Sequence, residues 1–510
     1  MVFEVQAKNV KSRLERPVFA QFLLATIFFI NGCSSTLSVK DQFGSVFGEE
    51  DLTNLDKPLI SHLVMQENGE VFDEMALSLV ESGYQEDLVE TRFAGGSLVD
   101  ISSLEEYANK VLGRLMKSWA GRTIHAKVFI VSRKDFGGIS RKNGAIVIPL
   151  GTFRLLENED QLAALLAHEL SHIILEHHQT DVIGFLGNKA FDIGELYLNL
   201  SAKNGREEAA LKDYSQLKAL DWVAHRALIP SWGRVQENEA DLLGVDLMVG
   251  AGFNADAMVM FLKLVGASAQ EKQEYLIKNP VVINKKADQS LSLNFDADSL
   301  VKDLFSVLDQ ELSKEHAEAS VRQKKVRGYL KGFYADRKRS DFNVSAYHNV
   351  LRARSVRGVL AKYESAYSAD ELLVSGADSS VKGLNRASRL GLKSVSGKTK
   401  YDSHNRLLMY EIRKRQNKQK SAIKNLELAL KSGEATYKVY SLLEANAYEN
   451  KQYKESLKYL SKMKESFGDR DDLVLRLIRS KKSLGEPVSL SLKARCLSIF
   501  KSSAIAQCLD

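Results

Sequence analysis

The sequence predicts a mainly α-helical protein, in which an α+β domain with a small β-sheet is followed by an α-helical repeat domain. Three observations support this prediction. Apolar residues recur at helical spacing over much of the 510 residues, two short β-branched segments lie near residues 128 and 147, and a period of 33 to 34 residues appears near the C-terminus. With 44% hydrophobic residues and a net charge of +6, the composition excludes a disordered chain and gives no indication of nucleic-acid binding.

The first element is an apolar run from Val18 to Ile30 that follows several basic residues. As a helix it would span about 20 Å, too short for a bilayer core of about 30 Å, so it predicts a signal peptide over residues 1–32. The run ends in Ile30-Asn31-Gly32-Cys33, which resembles a bacterial lipobox, so we expect Cys33 to be acylated and to anchor the chain. Ser34 favours the outer membrane. A plain secretory signal and an uncleaved anchor are the alternatives.

Export also bears on the two cysteines near the C-terminus. In an oxidising compartment, Cys496 and Cys508 are the only pair left and are expected to form a disulfide. Two buried thiols at helical spacing are the alternative.

The next elements are a helix, two strands and a second helix. Ser103-Leu-Glu-Glu106 has the capping-box pattern and predicts a helix to about Trp119. Residues 124–132 and 144–150 are short, β-branched and bounded by Gly, Asn or Pro, which predicts strands. Asn158 can cap the following helix, which continues to residue 178 without Gly or Pro.

Further helices are predicted from Glu237 to about Val249, from Ala255 to Val265 and over residues 299–334. Residues 181–231 look helical but carry no recognisable chemistry. Past Asp336 the composition shifts to Ser, Gly, Lys and Arg, which predicts a loop-rich connection over residues 336–400.

The last section, residues 401–510, repeats itself. Asn417-Lys-Gln419 recurs as Asn450-Lys-Gln452, and the small or apolar residues after the first copy recur 34 positions later: Ala422, Leu426 and Ala429 as Ser456, Leu460 and Met463. This period resembles the tetratricopeptide repeat, in which paired helices stack into a concave binding surface. An unrelated helical bundle is the alternative.

The strongest chemical motif is HExxH at His168-Glu169-Leu170-Ser171-His172. Two histidines four apart on a helix face one point and can bind one Zn²⁺, while Glu169 can take a proton from the metal-bound water. The helix is otherwise apolar, so both histidines would be costly in a core unless something satisfied them. The alternative is a pair of hydrogen-bonded core histidines beside an exposed glutamate.

A catalytic zinc needs a third protein ligand, for which the sequence offers two candidates. His178 has the metzincin spacing, but Leu175 stands where that arrangement needs Gly, and an unbroken helix would carry His178 ~15 Å along the axis. His177 and His178 are then interpreted as cations at the helix C-terminus.

The other candidate is Glu237, four residues before Asp241 on a second helix. One of these carboxylates can bind zinc while the other orients a histidine ligand.

HExxH followed some 65 residues later by Glu-x-x-Ala-Asp resembles the signature of a family of zinc metallopeptidases of the HtpX, CAAX-protease and BepA type. The resemblance covers about residues 104–326 with specific motifs. An export signal in front and helical repeats behind are most similar to BepA-like periplasmic proteases, which are implicated in quality control of outer-membrane β-barrel proteins.

The resemblance implies a role for each matching residue. His168, His172 and Glu237 would bind one Zn²⁺ per chain. Glu169 would be the general base. Asp241 would orient a histidine ligand by a hydrogen bond and would not bind the metal itself. His316 would approach the reaction centre, either stabilising the oxyanion or occupying the fourth zinc position. Arg322 would fix the segment that carries His316; for His316 itself, a surface histidine on a charged helix is the alternative.

The function that the resemblance implies is a zinc-dependent endopeptidase anchored in the periplasm, at the outer membrane, that cleaves misfolded or misassembled envelope proteins. Residues 136–143 depart from the family pattern, while the strand 145–148 could pair with an extended substrate by β-augmentation. The alternative is a lipid-anchored chaperone or assembly factor that binds envelope proteins through its repeats. Residues 405–465 hold 14 Lys plus Arg against 7 Asp plus Glu, which suits acidic partners or simply a solvated face.

Overall fold

The computed structural model describes residues 52, 54–67, 77–180, 218–219, 232–279, 318–337, 339–376, 380–499 and 508. Residues from Phe43 to Asp510 form one compact unit, to which all of these belong. The predictions made for the signal peptide, for Cys33 and for His316 lie outside the described residues.

The predicted mainly α-helical class with a small sheet is confirmed. The described helices before the sheet and around it are α1 (Leu59–Glu67), α2 (Leu77–Phe93), α3 (Ser102–Ser118), α4 (Thr152–Leu155), α5 (Glu159–Ile174), α6 (Arg234–Gly250), α7 (Asp256–Lys278) and α8 (residues 318–333). The described helices that follow are α9 (Val344–Arg352), α10 (Arg354–Val374), α11 (Val381–Ser394), α12 (Ser403–Arg415), α13 (Gln419–Ala429), α14 (Tyr437–Glu449), α15 (Tyr453–Phe467), α16 (Asp472–Leu484) and α17 (Leu490–Ile499).

The sheet has three strands in the order β1-β3-β2: β1 (Lys127–Val131), β2 (Ile139–Ser140) and β3 (Ala145–Pro149). β1 is parallel to β3, and β2 pairs antiparallel with β3 at Ile146 and Val147. β3 is therefore the central strand, and Ile146 and Val147 are already paired with β2. The expectation that this strand pairs with a substrate is wrong for Ile146 and Val147. The edge on that side is β2, which contacts helix α5.

The core of the first half surrounds helix α5. Helices α3, α6 and α7 and the sheet all contact α5, and almost every residue of α5 is buried. Asn158 caps α5 as predicted, because its Oδ1 accepts a hydrogen bond from the backbone N–H of Gln161 at 2.9 Å. The capping box predicted for α3 does not form: Ile101 is the N-cap, and Ser103 Oγ instead lies 3.3 Å from Ser355 Oγ.

Helix α5 ends earlier than predicted. Leu175 closes it, Glu176 takes a left-handed conformation with φ 54°, and residues His177–Thr180 form a short 3₁₀ helix. The expectation of an unbroken helix to residue 178 is therefore wrong. The polar contacts of the buried His177 side chain, described below, outweigh the helical propensity of this stretch.

The loop-rich connection predicted over residues 336–400 is wrong for most of its length, because α10 and α11 occupy it and pack against each other. The small residues that suggested a loop lie instead on the buried face of α11, which includes Ala387, Ser388 and Gly391. A Cβ at Gly391 would stand only 2.5 Å from Met409 Sδ of α12. Small side chains here allow close helix packing, which composition alone does not distinguish from a loop.

The C-terminal helices pack in sequence, each against the next, from α10 to α17. Asn417 and Lys451, 34 positions apart, both take a left-handed conformation between paired helices, with φ 56° and φ 59°. The residues that define the period are all fully buried: Ala422, Leu426, Ala429, Ser456, Leu460 and Met463. The helical repeat is thus present in the described residues; its assignment to the tetratricopeptide class stays a prediction.

A disulfide joins the last described helix, α17, to residue 508. Cys496 in α17 is bonded to Cys508, with Cα atoms 5.7 Å apart, and both are buried against Val474 and Ile478 of α16. Among the residues that the structure describes, none of the helices is both long and apolar enough to cross a membrane.

Candidate metal centre

The two histidines of the HExxH motif lie in the middle of α5 and point their ring nitrogens at one another. Both are buried, and the Nε2 atoms of His168 and His172 are 3.2 Å apart. Two imidazole nitrogens bound to one zinc at about 2.0–2.1 Å in tetrahedral geometry would be about 3.3 Å apart. The observed separation is therefore the one that a shared zinc ion requires.

Glu237, on the neighbouring helix α6, completes a set of three donors. Its carboxylate oxygens lie 3.6 Å from His168 Nε2 and 3.7 Å from His172 Nε2, and one donor atom from each residue lies within 4.8 Å of the others. The Glu237 side chain is 19% exposed, whereas those of the histidines are 7% and 0% exposed. Two imidazoles and one carboxylate, open to solvent on the carboxylate side, fit a catalytic zinc site.

Asp241 and Arg322 contact two of these three donors, His168 and Glu237, and hold them in place. Asp241 Oδ1 is 3.0 Å from His168 Nδ1, so it orients the ring with Nε2 toward the centre. Arg322 donates to Asp241 from Nε at 2.7 Å and from Nη2 at 2.8 Å, and its Nη1 is 2.7 Å from Glu237 Oε2. Arg322 thus reaches the metal centre itself.

The charges of the centre favour a cation. Burial lowers the pKa of His168, but the hydrogen bond to Asp241 and the charge of Glu237 outweigh it and raise that pKa above its ordinary value. Burial and the neighbouring His168 lower the pKa of His172 well below its ordinary value, so His172 is neutral with a lone pair to donate. Although burial raises the pKa of Asp241, the charge of Arg322 holds it below its usual range.

Glu169 lies beside the donor set and is held by the sheet edge. The backbone N–H of Ser140 in β2 donates to Glu169 Oε2 at 2.7 Å. Burial raises the pKa of Glu169, and the His168 charge and the Ser140 N–H only partly oppose this shift. At Gly138, a Cβ would come within 3.1 Å of Glu169 Oε1, so this position leaves little room for a side chain beside the carboxylate.

Residues 109–329 match the model of Peptidase family M48. The chain contains an M48 peptidase domain. This assignment agrees with the resemblance found in the HExxH and Glu-x-x-Ala-Asp motifs, and the matched residues include all three donors. M48 peptidases are metal-dependent, usually with zinc, which agrees with the donor set.

Curated relatives match over a stretch of comparable length. The beta-barrel assembly-enhancing proteases of Escherichia coli K12 and Shigella flexneri are each 23% identical over 205 residues, and that of Yersinia pestis is 22% identical over 209 residues. The aligned stretch is 38% of this chain and 39% to 40% of each relative. The chain therefore spans well under half the length of the curated relatives it matches.

The M48 domain also contains contacts that the sequence did not predict. His177 is fully buried and its Nδ1 lies 2.7 Å from His172 Nδ1, so it does not lie at the C-terminus of α5 as predicted. For His178, burial and the nearby His177 lower the pKa to about 4, so the interpretation of His178 as a cation is wrong. Trp232 stacks on the ring of His172, with centroids 4.8 Å apart. The only signal in the sequence was a histidine five positions after His172.

Proposed function

We propose that the chain is a zinc-dependent endopeptidase of the bacterial envelope. The observation that supports this most directly is the convergence of His168, His172 and Glu237 on one point beside Glu169, within an M48 domain. In this proposal the protein acts at the periplasmic face, anchored to the outer membrane through acylated Cys33. Its substrates are misfolded or misassembled envelope proteins, in keeping with the relatives' name, beta-barrel assembly-enhancing protease.

The chain's own residues account for the acid–base chemistry. A zinc ion held by His168, His172 and Glu237 would polarise the scissile carbonyl and lower the pKa of water. Glu169 is placed to accept the proton of the attacking water. Because the Ser140 N–H binds Oε2, we assign the proton to Oε1, from which Glu169 then passes it to the leaving amine. The raised pKa of Glu169 suits a group that must hold a proton between these steps.

The supporting residues keep this geometry. Asp241 and Arg322 hold His168 and Glu237 in place, so the donors need little rearrangement to bind the ion. His316, which the resemblance implies near the reaction centre, and Cys33 are part of the proposal but lie outside the described residues.

The metal dependence of this activity is directly testable. Treating the purified protein with a zinc chelator is expected to abolish casein cleavage, and adding back stoichiometric Zn²⁺ should restore it, because the three donors remain in place. The measurement is the cleavage rate before chelation, after dialysis and after zinc addition. Full activity in protein shown to be free of metal would contradict the proposal.

A second function, a chaperone or assembly factor, is supported by the helical repeat. A cavity of about 670 Å³ lies between α13, α14 and α15, and its lining includes Glu427, Lys451 and Tyr453. This volume suits a small set of side chains of a bound partner. In this proposal the repeats bind envelope proteins or the outer-membrane assembly machinery, and proteolysis is secondary.

A further inference from the structure

Two buried side chains, His177 and Glu239, extend in a row from His172 in the direction opposite to the proposed metal. His177 Nδ1 is 2.7 Å from His172 Nδ1, and His177 Nε2 is 3.1 Å from Glu239 Oε2. The side chains of His172, His177 and Glu239 are all 0% exposed. A fully buried carboxylate is costly unless it is paired, so the contact with His177 stabilises the buried Glu239.

The hydrogen bonds admit one consistent arrangement of protons when His172 is a metal ligand. Its Nε2 faces His168 and Glu237 and must keep its lone pair, so its Nδ1 carries the hydrogen. That N–H then donates to Nδ1 of His177, which places the hydrogen of His177 on Nε2. The second N–H donates to Glu239 Oε2. Each donor in this row meets an acceptor.

The backbone shows how the row is assembled. The left-handed Glu176 turns the chain directly after α5, and His177 follows it at the start of the 3₁₀ helix. Glu239 lies two residues after Glu237 on α6, so one helix supplies both a proposed ligand and the end of the row. Trp232 covers the face of the His172 ring, with an interplanar angle of 22°.

We propose that His177, held by Glu239, is a positioning residue that fixes the ring and the tautomer of His172 for zinc binding. The proposal rests on the zinc site of the proposed function. His168 has the corresponding support directly from a carboxylate, Asp241, whereas His172 is supported through a second imidazole. Loss of such an outer partner typically weakens metal affinity by roughly 10- to 100-fold.

The test measures metal binding in the full chain, independently of activity. Zinc affinity is determined by competition with a chromophoric chelator, and the ligand field by the visible absorption of the Co²⁺-loaded protein. The variants are His177→Ala, Glu239→Ala and the double variant, with His348→Ala as the matched control, since His348 is an imidazole on α9 outside the row. Thermal unfolding of the zinc-free proteins reports whether each variant folds.

We expect both single variants to bind zinc roughly 10- to 100-fold more weakly and to shift the Co²⁺ spectrum. The double variant should be no weaker than His177→Ala alone, because Glu239 acts only through His177. The control should match the wild type. His177→Gln, whose amide keeps one acceptor and one donor, should recover most of the affinity and carries the test if the alanine variant does not fold.

Wild-type affinity and an unshifted Co²⁺ spectrum in folded His177→Ala would overturn the inference, as would additive losses in the double variant. These outcomes differ from failure of the proposed function, in which the wild-type chain itself would not bind zinc.

Discussion

Replacing Glu169 by Gln is expected to abolish casein cleavage while leaving the fold and the zinc content unchanged. Gln has nearly the same shape and its amide oxygen can still accept the hydrogen bond from the Ser140 N–H, but it cannot accept a proton. Positioned acid–base groups contribute roughly 10²- to 10⁴-fold to rate, so the residual rate should fall by at least that order. The measurements are the cleavage rate, the zinc content and the thermal unfolding midpoint.

Glu106→Gln is the matched control, since Glu106 is an exposed glutamate on α3, and it should cleave at the wild-type rate. Unchanged cleavage in Glu169→Gln would remove the proposed mechanism. The same variant separates the two proposed functions. If the protein is a chaperone, the Glu169→Gln variant should still keep an unfolded outer-membrane protein from aggregating. If it is only a protease, the variant should have no effect on that protein.

Replacing Arg322 by Met is expected to destabilise the zinc-free protein strongly. Arg322 is 8% exposed and bridges Asp241 and Glu237, so its removal leaves these two neighbouring carboxylates without the guanidinium that joins them. Breaking a buried ion pair by removing one partner costs roughly 3–5 kcal/mol. The free energy of unfolding, measured by urea denaturation after zinc removal, should fall by that order.

Arg339→Met provides the comparison, because Arg339 pairs with Asp256 at the surface and is 77% exposed. Its loss should cost less than about 1 kcal/mol. Equal stability of Arg322→Met and the wild type would show that the bridge does not hold the centre together. Adding Asp241→Asn to Arg322→Met should restore part of the stability, since it removes one of the unpaired charges.

Local patterns predicted the parts of the fold that depend on local chemistry. The Asn158 cap, the two longer strands and helices α3, α5 and α6 follow from side chains a few positions apart, and the structure places them within a few residues of the prediction. The proposed donors could be predicted for the same reason, because HExxH puts two imidazoles on one helical face. Pairing them with Glu237 required the family signature, since no local rule joins α5 to α6.

The errors have tertiary causes. The end of α5 depends on a turn at Glu176 that places His177 between His172 on α5 and Glu239 on α6. The central position of β3 depends on β2, which has only two residues and no strand pattern. The small residues of α11 resemble a loop by composition but serve close packing of helices. None of these features is visible in a window of neighbouring residues.

The most direct test of a zinc peptidase centre is the zinc content and casein cleavage of the purified chain beside Glu237→Ala. We expect one zinc per wild-type chain together with cleavage, and neither zinc nor cleavage in the variant. The circular dichroism of the variant should show that its helices are retained. If Glu237→Ala kept its zinc and its activity, Glu237 would not be a ligand, and the proposed centre of His168, His172 and Glu237 would be wrong.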